Sequence, residues 1–140
     1  VTVLQQFGLE MPVQPGPIGA ASAMKMSYAG ITKGLTALGA AMMLAATRAG
    51  TADDLRQELQ ASQPALYGWL TRQMPKMYSK AYRWVAEMEE IAEFVGEDPA
   101  GRAFFDAAAK LYERIAADHD GAHQETAALD AFCRIMETTP

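Results

Sequence analysis

A glycine-rich turn that runs straight into a long apolar helix is the part of the sequence best suited to chemistry. Gly16 and Gly19 allow backbone to come close to a ligand, and Lys25 follows about two turns into the helix. A partly desolvated lysine amine has a lowered pKa and can act as a general acid or base. The turn and Lys25 are therefore expected to frame one site, unless the lysine simply extends its amine to the surface.

The element that carries this lysine is predicted to be one helix from Ala20 to about Ala49. The stretch lacks proline and is rich in Ala, Leu and Met, so the helix would be about 45 Å long. Its polar positions form one stripe and its small positions form a surface for close helix packing. The stripe is Ser22, Lys25, Ala29, Thr32 and Thr36, and the small surface is Gly30, Gly34 and Ala41. The hydroxyls could also bond back to the helix carbonyls, and this is favoured for Thr36.

The remainder of the chain is also predicted to be helical. Helices are expected from Thr51 to about Ala61, in a short segment after Pro64, from Pro75 to Val95, from Pro99 to about Ala117 and from about His123 onward. The Pro75 to Val95 helix has one apolar face. Its other face is predicted to be a solvated surface with an ion pair between Arg83 and Glu87.

Composition excludes several classes of function. The chain has 140 residues, half of them apolar, and a net charge of −5, which suits one globular domain and argues against nucleic-acid binding. The single cysteine, Cys133, excludes an internal disulfide, and two histidines leave no zinc set or other metal site. The most apolar run, Gly34 to Thr47, is shorter than the roughly 20 residues that cross a bilayer. A cytoplasmic protein without a membrane partner is expected.

The spacing at the start of the helix resembles the hinge segment of the 3-hydroxyisobutyrate dehydrogenase and 6-phosphogluconate dehydrogenase superfamily. In that superfamily a G-x-x-G-x-G-x-x-x-K run opens the substrate domain, and Gly16, Gly19 and Lys25 match it. Ala21 stands where the third glycine is usual. Ala29 stands where the superfamily has an asparagine, which puts the usual contact to the substrate hydroxyl in doubt.

The wider run from Gly16 to about Ala92 looks most like an uncharacterised branch that reads K-M-x-Y-A-x-x-T-K-G in this place. The resemblance implies an all-α C-terminal domain over residues 17–140, a helical bundle around one long central helix similar to that of 6-phosphogluconate dehydrogenase. Residues 1–16 would then be the end of an α/β nucleotide-binding domain that is otherwise missing. Without the resemblance, the helix end at Val1 to Phe7 and the extended piece at Leu9 to Val13 could form an ordinary N-terminal arm.

The same resemblance implies an enzyme that transfers a hydride from a hydroxy acid, a small-molecule substrate, to NAD or NADP. Lys25 matches the lysine that serves as acid/base. The substrate-binding residues implied are Gly16, Gly19, Ser22, Tyr28, Lys33 and Arg83. Lys80 matches the lysine of a K-D motif at the nicotinamide end of the cleft, although Ala81 replaces the acid. Because no G-x-G-x-x-G follows a strand here, the cofactor phosphates would be bound upstream and this chain alone would be inactive.

A non-enzymatic interaction domain is the alternative, with Gly30, Gly34 and the Met/Ala-rich helix serving only subunit packing. A strand followed by G-x-G-x-x-G upstream in the same gene would favour the enzyme. On either hypothesis the long helix is apolar all round and must be covered. A two-fold partner is the commonest cover, so a homodimer is expected, although the missing domain could also cover it.

Overall fold

The computed structural model describes residues 6–8 and 16–134. That part of the chain contains six α-helices, one short 3-10 helix and no β-strand. The elements are α1 (Ala20–Ala49), α2 (Ala52–Ser62), α3 (Pro64–Met77), the 3-10 turn (Tyr78–Lys80), α4 (Ala81–Val95), α5 (Pro99–Asp120) and α6 (Gln124–Cys133). The predicted all-α fold with one long helix is confirmed. The segments predicted before Gly16 lie outside the described residues, except for a turn at residues 6–8.

Helix α1 has the predicted boundaries because a glycine lies at each end. Gly19 precedes the helix with φ 94°, and Gly50 follows it with φ 73°. Both values lie in the left-handed region that only glycine adopts at little cost. At the C-terminal end, the amide of Thr51 donates to the Ala46 carbonyl at 2.9 Å, which closes the last turn.

The small residues of α1 allow two other helices to lie close to it. A Cβ on Gly30 or Gly34 would lie 3.2 Å from a phenylalanine ring of α5, and one on Gly39 would lie 2.6 Å from Leu70 of α3. The prediction of close packing at Gly30 and Gly34 is therefore confirmed. These glycines pack within the domain, so the idea that they serve only subunit packing is wrong.

The path from α3 to α4 differs from the prediction. Pro75 lies inside α3, two residues before its end, and does not start a helix. The 3-10 turn follows, and α4 begins at Ala81. A proline this near a C-terminus removes only the hydrogen bond that its amide would make to Thr71, so the last turn tolerates it. The consequence is a nearly continuous helical path that changes from α-helix to 3-10 helix at Tyr78–Lys80.

Helices α4 and α5 form an antiparallel hairpin that supplies much of the core. The connection is short, and Asp98 caps α5 by accepting the Ala100 amide at 3.0 Å, with Pro99 at the first helical position as predicted. Met88 and Ile91 of α4 are fully buried against the core, as their spacing predicted. Helix α5 runs three residues beyond the predicted end because Gly121, and not Asp118, breaks it.

Helix α1 is long and apolar enough to span a membrane by length and composition. The length of the run Gly34 to Thr47 alone therefore does not exclude a membrane-spanning helix. Half of the most apolar window of α1 is buried by other helices of the domain. Such burial is typical of the central helix of a helical bundle.

The side chain of Asp118 holds the start of α6 in place. Its carboxylate accepts hydrogen bonds from the amides of Gln124 and Thr126, both at 2.8 Å, and from the Thr126 hydroxyl at 3.0 Å. Its burial would raise the pKa of Asp118, but the hydrogen bonds from the Thr126, Glu125 and Gln124 amides and the Thr126 hydroxyl outweigh this and lower it.

Asp118→Ala is expected to lower the free energy of unfolding by about 1–2 kcal/mol at neutral pH, because the cap of α6 is lost. The ionised carboxylate stabilises the fold above its unfolded pKa of about 3.9, and this contribution is lost as the pH falls through the lower folded pKa. Thermal unfolding at neutral and acidic pH should therefore show a difference from wild type that shrinks in acid. Asp120→Ala, on the same turn, is the control, and an equal loss in both variants would contradict the prediction.

Candidate functional site

Four cationic side chains lie on α1, at the end of the 3-10 turn and at the start of α4. Lys25 and Lys33 lie on α1, Lys80 precedes α4, and Arg83 lies in the first turn of α4. We call these four residues the cation cluster. Burial lowers the pKa of Lys33, and the charges of Lys25, Arg83 and Lys80 lower it further. Three of the residues proposed from the sequence thus act through their charges on a fourth, Lys33.

Lys33 is the sheltered member of the cation cluster. Its side chain is 19% exposed, whereas Lys25, Lys80 and Arg83 are exposed. The Lys33 amine lies 5.1 Å from the centre of the Trp84 ring and forms an ion pair with Glu87.

The expected pair between Arg83 and Glu87 is wrong, because Glu87 pairs with Lys33 from α1. The observed ion pair joins two helices, and part of the lysine is buried against Trp84. It replaces the expected pair between exposed neighbours on one helix, which would be weak. Arg83 consequently keeps its guanidinium free of ion pairs among the residues that the structure describes. This leaves Arg83 available for an external anion.

A cavity of about 190 Å³ lies beside Lys33. It is lined by Tyr28, Thr32, Lys33, Thr36, Trp69, Gln73 and Trp84, which come from α1, α3 and α4. The Thr32 hydroxyl donates to the Tyr28 carbonyl at 3.0 Å, and the Thr36 hydroxyl donates to the Thr32 carbonyl at 2.8 Å. The favoured interpretation of Thr36 as a hydroxyl that bonds back to the helix is confirmed. The two tryptophans, which the sequence suggested only as core residues, form walls of the cavity.

The glycine turn and the first part of α1 face solvent. Gly16, Gly19, Ser22 and Lys25 are all exposed, and Tyr28, which lines the cavity, is 68% exposed. The described residues therefore do not supply the desolvation expected at Lys25. The desolvated amine of this part of the chain is Lys33, two turns further along α1.

Tyr112 of α5 supports the site from the core and was considered only as a packing residue in the sequence. Its fully buried hydroxyl donates to the Lys33 carbonyl at 2.5 Å, and its ring meets Trp84 edge to face at 5.2 Å. Burial raises the pKa of Tyr112 far above its ordinary value, while a hydrogen bond from the Ala37 amide opposes the shift. The hydroxyl is thus a permanent donor that ties Lys33 and Trp84 to the same buried ring.

Tyr112→Phe is expected to lower the free energy of unfolding by about 1 kcal/mol, because a buried hydrogen bond is lost while the ring stays in place. For a domain of this size the melting temperature should fall by about 3–5 °C. Tyr82→Phe removes a hydroxyl from a side chain that is 65% exposed and serves as the control. Equal melting temperatures for Tyr112→Phe and wild type would contradict this assignment of the hydroxyl.

The remaining groups with catalytic potential do not form a second centre. Within the described part of the chain, no group of three or more His, Cys, Asp or Glu side chains is placed to hold a metal ion. Burial raises the pKa of the Cys133 thiol to about 11, with a further contribution from Asp130. Such a thiol is protonated at neutral pH and is a poor nucleophile. His119 lies against the ring of Tyr78 at 6.1 Å.

Comparison with known proteins identifies the domain. Residues 46–115 match the family described as "Domain of unknown function (DUF1932)", which is known as the C-terminal helical domain of 3-hydroxyisobutyrate dehydrogenase-like proteins. No curated protein and no solved structure matches the chain. The matched residues make up half of the chain and include Lys80, Arg83 and Tyr112, whereas Lys25 and Lys33 precede them. The chain therefore belongs to the DUF1932 family.

Proposed function

We propose that this domain binds the substrate of an NAD(P)-dependent oxidoreductase that transfers a hydride from a hydroxy acid. The observation that carries the proposal is Lys33, a sheltered lysine that lines a cavity with tryptophan walls and experiences the charges of three further cations. The chain as a whole carries a net charge of −5, so the positive surroundings of Lys33 are not a result of overall composition. An anionic substrate would supply the missing negative charge.

The substrate carboxylate would bind to Lys33 and Arg83, with Tyr28 at the edge of the cavity. The exposed turn at Gly16 and Gly19, followed by Ser22, would contact the rest of the substrate through backbone and hydroxyl groups. Lys33 lines the cavity, and Arg83 directly precedes Trp84, which also lines it. This assignment also follows the superfamily pattern at the start of α1.

Lys25 would act as the acid/base. Its neutral amine takes the proton of the substrate hydroxyl while the carbon–oxygen bond becomes a carbonyl and the hydride leaves the same carbon. The products are a keto acid and a lysine ammonium, which returns its proton to solvent. Lys25 must lose part of its hydration for this role, so a covering element has to close over the exposed start of α1.

The nicotinamide cofactor would accept the hydride. The described residues contain no strand followed by a glycine-rich loop, so its phosphates would be bound by a separate nucleotide-binding domain. Lys80 is the residue of this chain that we propose to approach the cofactor. Its exposed amine, at the end of the 3-10 turn, fits an anionic group.

The proposal also includes a homodimer formed along α1. Six apolar residues of α1 repeat at intervals of four and three and form a stripe that we call the α1 seam. They are Met24, Tyr28, Ile31, Leu35, Leu38 and Met42. Ile31 is 70% exposed, Met42 54% and Leu38 48%. The alternating spacing is that of a helix that packs along a second helix.

A second copy of the chain is the proposed occupant of the α1 seam. The seam is about 27 Å long at 1.5 Å per residue, so the partner must offer an apolar helix of similar length, and α1 of a second copy does so. An apolar groove of about 510 Å³, which includes the exposed rings of Phe94 and Phe104, continues the same surface. Because Tyr28 belongs both to the seam and to the cavity, the partner would lie beside the substrate site.

The proposed activity is tested with the enzyme that joins this chain to a nucleotide-binding domain. Purified enzyme is mixed with NAD or NADP and a panel of hydroxy acids, and reduced nicotinamide is followed by absorbance. The expected result is turnover with at least one hydroxy acid and none with the corresponding alcohol that lacks the carboxylate. If no hydroxy acid reduces either cofactor, the proposed function is wrong.

A further inference from the structure

The cavity beside Lys33 has walls that a carboxylate alone does not use. Its lining includes Trp69 of α3 and Trp84 of α4, and the rest of the protein buries both indoles only in part. An indole is a large apolar surface, so leaving part of it in contact with water has a cost in free energy. A ligand that covers these two surfaces would recover that cost.

The hydroxyl groups of the lining already donate within α1. Thr32 donates to the Tyr28 carbonyl and Thr36 donates to the Thr32 carbonyl, so neither hydroxyl needs a ligand as its acceptor. The cavity is therefore less polar towards a ligand than its two threonines suggest. Its charge comes from Lys33, whose amine lies 5.1 Å from the centre of the Trp84 ring.

The volume of the cavity suits one six-membered ring. An apolar protein cavity of about 150 Å³ holds one benzene molecule. The cavity beside Lys33, at about 190 Å³, has room for such a ring and for the atom that joins it to an acid. Thr32 and Thr36 are four positions apart on α1, as are Trp69 and Gln73 on α3, so each pair lines the cavity from one helix face. Walls on packed helices keep their shape before a ligand binds.

A sheltered amine and two indoles in one cavity match an aromatic acid. The carboxylate of such an acid can face the Lys33 amine while its ring covers indole surface. A short aliphatic hydroxy acid would use the charge of Lys33 and leave both indoles uncovered.

We infer that the substrate of this site is a hydroxy acid whose side chain ends in one six-membered aromatic ring. This inference rests on the proposed function and names its substrate class. The ring occupies the cavity against Trp69 and Trp84, in offset or edge-to-face contact, and the carboxylate lies towards Lys33.

Tryptophan fluorescence tests this inference directly, because the chain has two tryptophans and both line the cavity. The chain is titrated with 3-phenyllactate, 3-cyclohexyllactate and lactate, which share a hydroxyl and a carboxylate and differ in the side chain. 3-Phenyllactate should change the emission and bind at least about tenfold more tightly than lactate, because it buries a ring. It should also bind several-fold more tightly than 3-cyclohexyllactate, since only an aromatic ring offers a π face to the indoles.

A matched pair of substitutions tests where the ring binds. Gln73→Phe places a phenyl group in the cavity and should lower the affinity for 3-phenyllactate at least about tenfold, with a smaller change for lactate. Gln57→Phe adds the same group at an exposed position of α2, which does not line the cavity, and should leave both affinities unchanged. Trp69→Leu removes part of one wall and should also weaken the binding of 3-phenyllactate several-fold, with Trp84 left to report it.

The inference is overturned if lactate or 3-cyclohexyllactate binds as tightly as 3-phenyllactate, or if 3-phenyllactate does not bind at millimolar concentration. It is also overturned if Gln57→Phe weakens binding as much as Gln73→Phe. Oxidation of lactate by the complete enzyme, with no gain from the ring, would overturn the inference and leave the proposed function standing. Tight binding of 3-phenyllactate by a complete enzyme that reduces neither cofactor would overturn the proposed function and leave the aromatic acid as the ligand of the cavity.

Discussion

Lys25→Ala in the complete enzyme is expected to lower kcat by at least about 10²-fold, because the group that takes the substrate proton is lost. Affinity for the cofactor should change little, since the separate nucleotide-binding domain holds most of it. The exposed position of Lys25 makes a folding defect a weak explanation for such a loss. Single-turnover rates and cofactor titrations of wild type and variant provide the measurement.

Lys25→Arg tests whether this position needs a group that can transfer a proton or only a positive charge. Arginine keeps the positive charge but cannot give up its proton in a protein, so this variant should be about as slow as Lys25→Ala. Lys76→Ala, on the exposed end of α3, is the control and should retain full activity. Full turnover by Lys25→Arg would remove Lys25 from proton transfer. A large loss of kcat in Lys33→Met in the same series would then assign proton transfer to the desolvated amine of Lys33.

The double variant Ile31→Glu with Leu38→Glu is expected to convert a dimer into a monomer. These two side chains lie on the α1 seam and are 70% and 48% exposed in the single chain. Burying two carboxylates in an apolar interface would cost several kcal/mol, which exceeds what a seam of this length can recover. Sedimentation equilibrium at micromolar concentration should give about twice 15.1 kDa for wild type and 15.1 kDa for the variant.

Tyr82→Glu is the matched control for the seam, because Tyr82 is a large side chain, 65% exposed, on α4 and away from α1. It should leave the dimer intact. Circular dichroism should show the same helix content in all three proteins, since the substituted positions face solvent in the single chain. A wild-type chain that sediments as a monomer, and stays a monomer in the complete enzyme, would contradict the proposed dimer.

The sequence predicted those helices whose boundaries depend on residues within a few positions of one another. Helix α1 was found because its stretch lacks proline and ends at Gly50, and α5 was found because Asp98 and Pro99 form a local cap. Pro75 was misplaced because proline favours the first turn of a helix but also tolerates the last. Only the packing of α3 and α4 on α1 decides between these two positions.

The members of the candidate site were easier to predict than their roles. The superfamily pattern pointed to Lys25, Lys33, Lys80 and Arg83 one by one, and in the fold the charges of the other three lower the pKa of Lys33. The sequence did not show that Lys33 is the sheltered amine, since its shelter comes from Trp84, fifty-one positions later. Contacts between distant helices have no local signal, and the same is true of the Tyr112 hydroxyl on the Lys33 carbonyl.

The 3-10 turn between α3 and α4 has a consequence for insertions and deletions. One residue added to or removed from Tyr78–Lys80 would rotate α4 by about 100° about its axis relative to α3. The rotation would turn Arg83 away from α1 and, in the same step, turn Met88 and Ile91 out of the core. The packing of the core and the proposed ligand contact of Arg83 therefore require the same length of the segment Tyr78–Lys80. An insertion or deletion in this segment that disturbs the direction of Arg83 therefore also disturbs the core.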